Sequence, residues 1–128
     1  IIVEFNSNQD KYVYGDEFYI EQVVTNYLTN AIKNVEEING EKNIKIYVGE
    51  TKDVVRINVF NTGKNIEEEN INRIWNRFYK GDASRNREDG STGIGLSIVK
   101  AIMNNYKNDY GFENKIDGVE FYFDLDLR

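Results

Sequence analysis

Four polar residues, Gln22, Asn26, Asn30 and Lys33, recur through a stretch whose apolar residues keep helical spacing. At about 100° per residue they fall within roughly 40° of one line, opposite an apolar arc centred near Ala31 and Ile38. A solvated helix face is the ordinary explanation, and asparagine occurs 18 times in 128 residues, which weakens any single one as a signal. However, asparagine in a helix interior costs up to about 0.7 kcal/mol relative to alanine. A solvent face built from Glu, Lys or Gln avoids that cost. Two asparagines one turn apart, with a lysine beyond them, suit a metal–phosphate site. The carboxamide oxygen is a hard, neutral ligand for Mg²⁺, which keeps much of its coordination shell for phosphate oxygens and water, and the ammonium supplies a point charge.

Two further segments could carry chemistry. Asn61-Thr62-Gly63-Lys64-Asn65-Ile66 follows directly on an apolar strand. It reads as an ordinary turn, or as a site where a side-chain oxygen accepts from an exocyclic amine while Gly63 lets a flat ring approach the backbone. Gly90-Ser91-Thr92-Gly93-Ile94-Gly95-Leu96 is a glycine cluster opening a helix. Such a turn exposes consecutive N–H groups to phosphate oxygens at the positive end of the helix dipole. No Gly-Lys-Ser/Thr occurs, so this is not a Walker A loop, and no βαβ strand precedes it as a dinucleotide fingerprint requires. Between Arg73 and Arg87 lie five cations (Arg73, Arg77, Lys80, Arg85 and Arg87) against Asp82 alone, a local charge of +4 in a chain of net charge −6. They form either a corner that attracts a polyanion or a scattered soluble surface. Trp75, Phe78 and Tyr79 read as core and hinge packing more than as a stacking platform.

These segments must be held by regular elements. The pattern predicts a strand over 1–6, a second over 11–14, and a long helix from Asp16, its N-cap, to about Asn39. An antiparallel hairpin over 44–48 and 54–60 follows, then a short helical piece from 67 to about 79. The polar stretch 81–92 reads as a lid. Ile94, Ile98, Val99, Ile102 and Met103 mark another helix, 119–127 closes the chain as a strand of strict alternation, and a further strand is possible near 110–114. Mostly antiparallel strands with helices on one face make an α+β two-layer sandwich. The length suits one domain spanning 1–128.

Composition excludes several classes. A pI near 4.7 argues against non-specific binding to nucleic acid or an anionic membrane. The absence of cysteine rules out disulfides and thiolate metal sites and is compatible with a reducing compartment. The absence of histidine removes imidazole as base, nucleophile or ligand within this polypeptide. No apolar run reaches the roughly 18 to 20 residues of a membrane span. Because the chain begins at Ile1, it is expected to be an excerpt of a longer protein.

Taken in order, the segments resemble the catalytic ATP-binding domain of sensor histidine kinases, in the superfamily shared with the gyrase B subunit. Tyr14-Gly15-Asp16 and the run from Glu21 to Lys33 are similar to the N box, Asn61 to Ile66 to the first glycine box, Ile74 to Lys80 to the F box, and Gly93 to Lys100 to the second glycine box. The Asn-Thr-Gly form and Trp75 are similar to those of the vancomycin-resistance sensor kinases. The resemblance implies a Bergerat sandwich that binds ATP and Mg²⁺, with Asn30 as metal ligand, Asn26 and Lys33 beside the phosphates, and Asn61 reading the adenine amine. It places Gly63, Ile66, Phe78, Tyr79, Thr92, Ile94 and Leu96 around the nucleotide. Gly93 and Gly95 would lend their backbone to the phosphate chain, and Arg77 and Lys80 would approach the terminal phosphates when the lid closes. This sequence departs from the pattern at Asn61, where Asp is usual, and at Asn65 and Ser91, where glycine is usual; loss of charge assistance at Asn61 predicts weaker adenine binding.

Superfamily members that hydrolyse ATP carry a Glu at the place of Asn26, which is no base at neutral pH. The resemblance therefore implies γ-phosphoryl transfer to a histidine on a separate dimerisation domain, relayed to a response regulator, in the cytoplasmic part of a membrane-anchored homodimer; the piece itself would be monomeric and inactive alone. Two alternatives stay open at this point: a degenerate nucleotide-binding or docking module without kinase activity, and a serine kinase of the anti-sigma-factor type.

Overall fold

The computed structural model describes residues 2–5, 10–76 and 95–128. Its strands are β1 (Ile2–Phe5), β2 (Ile44–Glu50), β3 (Val54–Thr62), β4 (Tyr110–Lys115) and β5 (Gly118–Asp126), and its helices are α1 (Glu17–Asn34) and α2 (Gly95–Tyr106). The strands form one sheet in the order β1-β2-β3-β5-β4, parallel only at β1–β2. Residues that face each other across the ladders share a sheet face. Ile46, Val59 and Phe121 line up in this way, as do Val55 with Leu125 and Ile57 with Phe123. That face meets Val23, Tyr27 and Ala31 of α1 and Val99 and Met103 of α2 in a single core, so both described helices lie on one side of the sheet. The expected α+β two-layer sandwich is the architecture found.

The opposite sheet face is polar and closes on itself. Arg56 donates to both carboxylate oxygens of Asp124, at 2.7 and 2.9 Å, and lies 4.0 Å over the Tyr122 ring. This pairing raises the Arg56 pKa. Tyr47 donates to Glu120, which also pairs with Lys115 at 3.7 Å. The alternation of Glu120, Tyr122 and Asp124 with Val119, Phe121, Phe123 and Leu125 thus sorts β5 into an ionic and an apolar face.

Three elements differ from the sequence expectation. The long helix ends at Asn34, five residues early: Val35 is extended, the Glu36 N–H donates to the Thr62 carbonyl at 2.9 Å, and the chain turns back through Asn39 and Gly40, both at positive φ, to pair Ile38 with Glu41. The start is as expected, with the Asp16 carboxylate accepting from the Phe18 N–H at 2.8 Å. Residues 11–14 are not a full strand. They meet the sheet through one bridge, Val13 to Leu127, because only the tail of β5 projects beyond its β4 partner Tyr110. From Glu67 to Asn76 the chain makes a 3₁₀ turn and further turns instead of a helix. Bonds such as Ile71 N–H to Glu68 O and Asn76 N–H to Arg73 O close three-residue loops. Asn70, Asn72 and Asn76 favour such turns over an α-helix. The additional strand near 110–114 is present as β4.

Tyr27 sits where the layers meet. It is fully buried, packs on Phe121 and Phe123, and donates its hydroxyl to the Tyr122 carbonyl at 2.9 Å. Burial pushes its pKa far above the ordinary tyrosine value of 10.0. An acid whose folded pKa is raised is equally protonated in both states at neutral pH; above its unfolded pKa the unfolded chain loses the proton first. Stability is therefore expected to fall as pH rises beyond about 10, approaching 1.4 kcal/mol per pH unit for this one group. Urea titrations of the chain and of Tyr27→Phe between pH 8 and 11 check this: the variant should be about 1 kcal/mol less stable at pH 8 and should show a shallower alkaline decline.

Candidate nucleotide-binding site

The apolar stripe of α1 turns Val23, Tyr27 and Ala31 into the core, at 0, 0 and 1 % exposure. Gln22, Asn26 and Asn30 are half-buried, and Lys33 is exposed. The polar stripe therefore does not oppose the buried arc, as the sequence reading placed it; it lies about 100° away, along the border of the core. The side farthest from the core carries Phe18, Thr25, Thr29 and Ile32, all exposed. A border position is half-covered by neighbouring elements, which distinguishes this stripe from a solvated face.

The helix that carries the stripe meets both of the other two motifs. At mid-length of α1 the Asn26 carboxamide lies against the start of α2: a Cβ placed on Gly95 would stand 3.1 Å from Asn26 Oδ1. At the C-terminal end of α1 the turn after β3 presses on the last residue of the helix. Gly63 has φ +151°, a conformation that L side chains rarely adopt, and a Cβ there would stand 3.0 Å from the Asn34 carbonyl oxygen. Asn26 and Asn34 are two turns apart, about 12 Å along the axis. α1 thus forms one wall between the two glycine-bearing segments; glycine is called for at Gly63 by its φ and its contact with backbone, while at Gly95 a side chain would press on the Asn26 carboxamide.

Within this frame each polar group has a defined orientation. Asn34 Nδ2 donates to the Asn30 carbonyl at 2.8 Å and to Asn30 Oδ1 at 3.1 Å. The Asn30 side-chain oxygen accepts that one bond and has a second lone pair available. Asn61 is 2 % exposed and donates through Nδ2 to the Thr62 carbonyl at 3.0 Å. Since a carbonyl only accepts, this bond selects the rotamer in which Oδ1 is the free acceptor of the side chain. Asn61 therefore offers the hydrogen-bonding character that an aspartate would, without the charge. Thr62 braces the same turn, accepting from the Asn43 N–H at 2.9 Å. Ile66 and Leu96 are half-buried against the core.

Asn26, Asn30 and Lys33 thus lie along the C-terminal half of α1, with Gly95 and Leu96 on the segment that meets it at Asn26 and Asn61, Gly63 and Ile66 on the segment that meets it at Asn34. Arg77, Phe78, Tyr79, Lys80, Thr92, Gly93 and Ile94, and the stretch 81–92 read as a lid, lie outside the described residues. Trp75 is core packing, with its ring edge-on to Tyr110 and Phe121 at 5.0 and 5.8 Å. Sequence reasoning missed Asn34, which orients Asn30, and Gly118, whose place a side chain could take only by overlapping Asn61. Neither carries a local signal, since asparagine is abundant and Gly118 sits in an unremarkable turn–strand junction. Among the described residues no group of three or more acidic side chains could hold a metal ion. A cation beside Asn30 would complete its shell with ligand oxygens, which suits a metal carried in with phosphates. The concavity lined by Glu67, Glu68 and Glu69 is a different place, and its carboxylates repel a polyanion.

A sandwich with a helix-borne asparagine stripe between the start of a second helix and a glycine turn after a strand is the architecture of a nucleotide-binding ATPase domain. The family model for histidine kinase-, DNA gyrase B- and HSP90-like ATPases matches residues 15–128, and the chain belongs to that family. Within it, the chain is an ATP-binding catalytic domain of the sensor histidine kinase type. It is 31 % identical over 113 residues to the sensor protein VanSB of Enterococcus faecalis, covering 88 % of this chain and 25 % of that protein. The nucleotide-free catalytic domain of the histidine kinase ThkA superposes with TM-score 0.77 at 29 % identity, covering 98 % of this chain and 78 % of that one. ThkA in complex with the response regulator protein TrrA superposes with TM-score 0.74 at 29 % identity, covering 99 % and 34 %. The chain thus spans about a quarter of the length of VanSB.

Proposed function

We propose that this chain binds ATP with Mg²⁺ along α1 and donates the γ-phosphoryl group to a histidine on a separate dimerisation domain. The observation that carries the reading is the border position of the stripe, with Asn26 against the start of α2 and Asn34 against the Asn61–Gly63 turn. The base belongs at the Gly63 end, where Asn61 Oδ1 accepts from the adenine amine. The phosphates belong toward the Gly95 end, where the α2 dipole and N–H groups favour anions. Asn30 Oδ1 would hold the Mg²⁺, which when bound neutralises phosphate charge. Lys33, exposed one turn further along the helix, supplies a compact positive charge. Arg77, Lys80, Phe78, Tyr79, Thr92, Gly93 and Ile94 complete the site in this reading.

In the transfer step the bond from the γ-phosphorus to its bridging oxygen breaks, a bond from that phosphorus to an imidazole nitrogen of the acceptor forms, and ADP leaves. The reaction asks for alignment and charge neutralisation rather than a strong base. Asn26 agrees with this: a carboxamide cannot take a proton from water, so hydrolysis lacks its activator. With no histidine of its own, the chain depends on a partner for the acceptor. We place it in the cytoplasmic part of a longer, membrane-anchored homodimer that passes the phosphoryl group to a response regulator. Among the described residues no helix is long and apolar enough to cross a membrane.

Mixing the chain with a histidine-bearing helical hairpin domain and γ-labelled ATP tests the proposal. Label is expected on the partner's histidine, in an acid-labile form and only with Mg²⁺. Label on serine would favour the serine-kinase alternative, and no transfer at saturating nucleotide would leave only a docking role.

A further inference from the structure

We infer that Asn65 and Asn114 act as a clamp that holds Asn61 in its acceptor orientation and so sets the preference for adenine over guanine; this rests on the nucleotide-binding reading above. Asn65 stands where the resemblance leads one to expect glycine, and both protons of its side-chain amide are employed. Its Nδ2 donates to the Lys115 carbonyl at 2.8 Å and to the Gly118 carbonyl at 2.9 Å. Asn114 answers from β4: its Oδ1 accepts from the Ile66 N–H at 2.9 Å and its Nδ2 donates to the Ile66 carbonyl at 3.0 Å. The Gly63 N–H donates to the Asp117 carbonyl at 2.9 Å. Five hydrogen bonds from the end of the β4–β5 hairpin therefore hold residues 63–66, the continuation of the Asn61 turn.

The consequence for recognition follows from the two-sided chemistry of a carboxamide. With Nδ2 on the Thr62 carbonyl, Asn61 offers an acceptor, which suits the exocyclic amine of adenine. Rotated by half a turn it would offer a donor, which suits the O6 carbonyl of guanine. The choice depends on the Thr62 carbonyl staying where it is; the Glu36 N–H holds it at 2.9 Å from the side of α1, and the clamped segment begins at the next residue. An aspartate at position 61 would have no such ambiguity. An asparagine needs its turn fixed on both sides, by Glu36 and Asn43 on Thr62 and by the clamp on the residues that follow. Asn65 and Asn114 are themselves exposed, and their bonds go to backbone groups of Ile66, Lys115 and Gly118 and to none of the α1 stripe. Both are positioning residues: they act through Asn61 and touch no nucleotide.

The test is calorimetry of this chain with Mg·ADP and with Mg·GDP, for the parent sequence, Asn65→Gly, Asn114→Ala and the double variant, alongside thermal denaturation of each. The parent is expected to prefer ADP by at least about tenfold, and each single variant to narrow that ratio by about fivefold or more. The double variant should add little to either single one, since both hold one segment. A purely structural role would lower both affinities together and leave the ratio unchanged. A parent that prefers ADP, with variants whose ratio stays within about twofold of it, overturns the clamp and leaves the nucleotide reading standing. A parent that binds ADP and GDP equally also overturns the clamp alone. A parent that binds neither overturns both.

Discussion

Asn30→Ala is expected to reduce Mg²⁺-dependent phosphoryl transfer roughly a hundredfold, the scale of losing one preorganised group that stabilises developing phosphate charge. The effect should divide in an informative way. In calorimetry with Mg·ADP the variant should bind markedly more weakly than the parent sequence, whereas with ADP and a chelator the two should bind alike, because in the proposed site the deleted oxygen would hold the cation and not the nucleotide. Asn34→Ala provides the graded control. It removes the donor that orients Asn30 at 3.1 Å but keeps the ligand, so a smaller loss, about fivefold, is expected. Asn30 is half-buried and Asn34 exposed, so neither change should unfold the domain. Equal heats for parent and Asn30→Ala in the presence of Mg²⁺ would remove Asn30 from the site.

Gly118→Ala is expected to be the most destabilising single methyl addition at any described glycine. A Cβ there would lie 2.0 Å from the Asn61 carbonyl oxygen, 2.9 Å from the Asn61 carbonyl carbon and 2.8 Å from the Phe60 ring. Two of these three contacts are backbone atoms of the paired strand β3, which cannot move aside without breaking the ladder at the Thr62–Gly118 pair. Overpacking of this kind costs about 3 kcal/mol, which in a domain of this size lowers the melting temperature by roughly 10 °C. The displaced atoms belong to Asn61, which the proposed site assigns to the base, so nucleotide affinity should fall further than the loss of folded protein accounts for. Gly49→Ala serves as the reference: nothing lies within 4 Å of a Cβ at that strand position, and the change should be neutral or stabilise by about 0.5 kcal/mol. Thermal melts of the two variants side by side decide the matter; similar melting temperatures would show that β3 and β5 can separate at this point without penalty.

The regular elements were legible wherever burial imposes a period. In α1 the spacing of Val23, Tyr27 and Ala31 marked the core face, and Asp16 marked the start. In β5 the alternation of Val119, Phe121, Phe123 and Leu125 with Glu120, Tyr122 and Asp124 marked a strand with one apolar side. Periodicity failed where a single long-range hydrogen bond outweighed a weak local preference. Val35 and Ile38 continue the helical apolar pattern, yet the Thr62 carbonyl captures the Glu36 N–H and the helix stops. Likewise Ile74 and Trp75 reach the core from a series of turns, because their burial needs only the right position and not an α-helix.

The sequence by itself determined the chemical inventory of the site: a carboxamide stripe on one helix, a polar turn after a strand, glycines at the start of a second helix, and no imidazole or thiol. These are properties of residue type and order along the chain, and the ordered motifs were sufficient to indicate the family. Tertiary structure alone decided how the inventory is aimed. It moved the stripe from the far side of the helix to the border of the core, chose the acceptor face of Asn61 by placing the Thr62 carbonyl, and employed Asn65 and Asn114 across 48 to 53 residues of sequence. The physical reason is that an amide side chain is both donor and acceptor. Which half it presents depends on neighbours that only folding brings within 3 Å, and no local spacing encodes them.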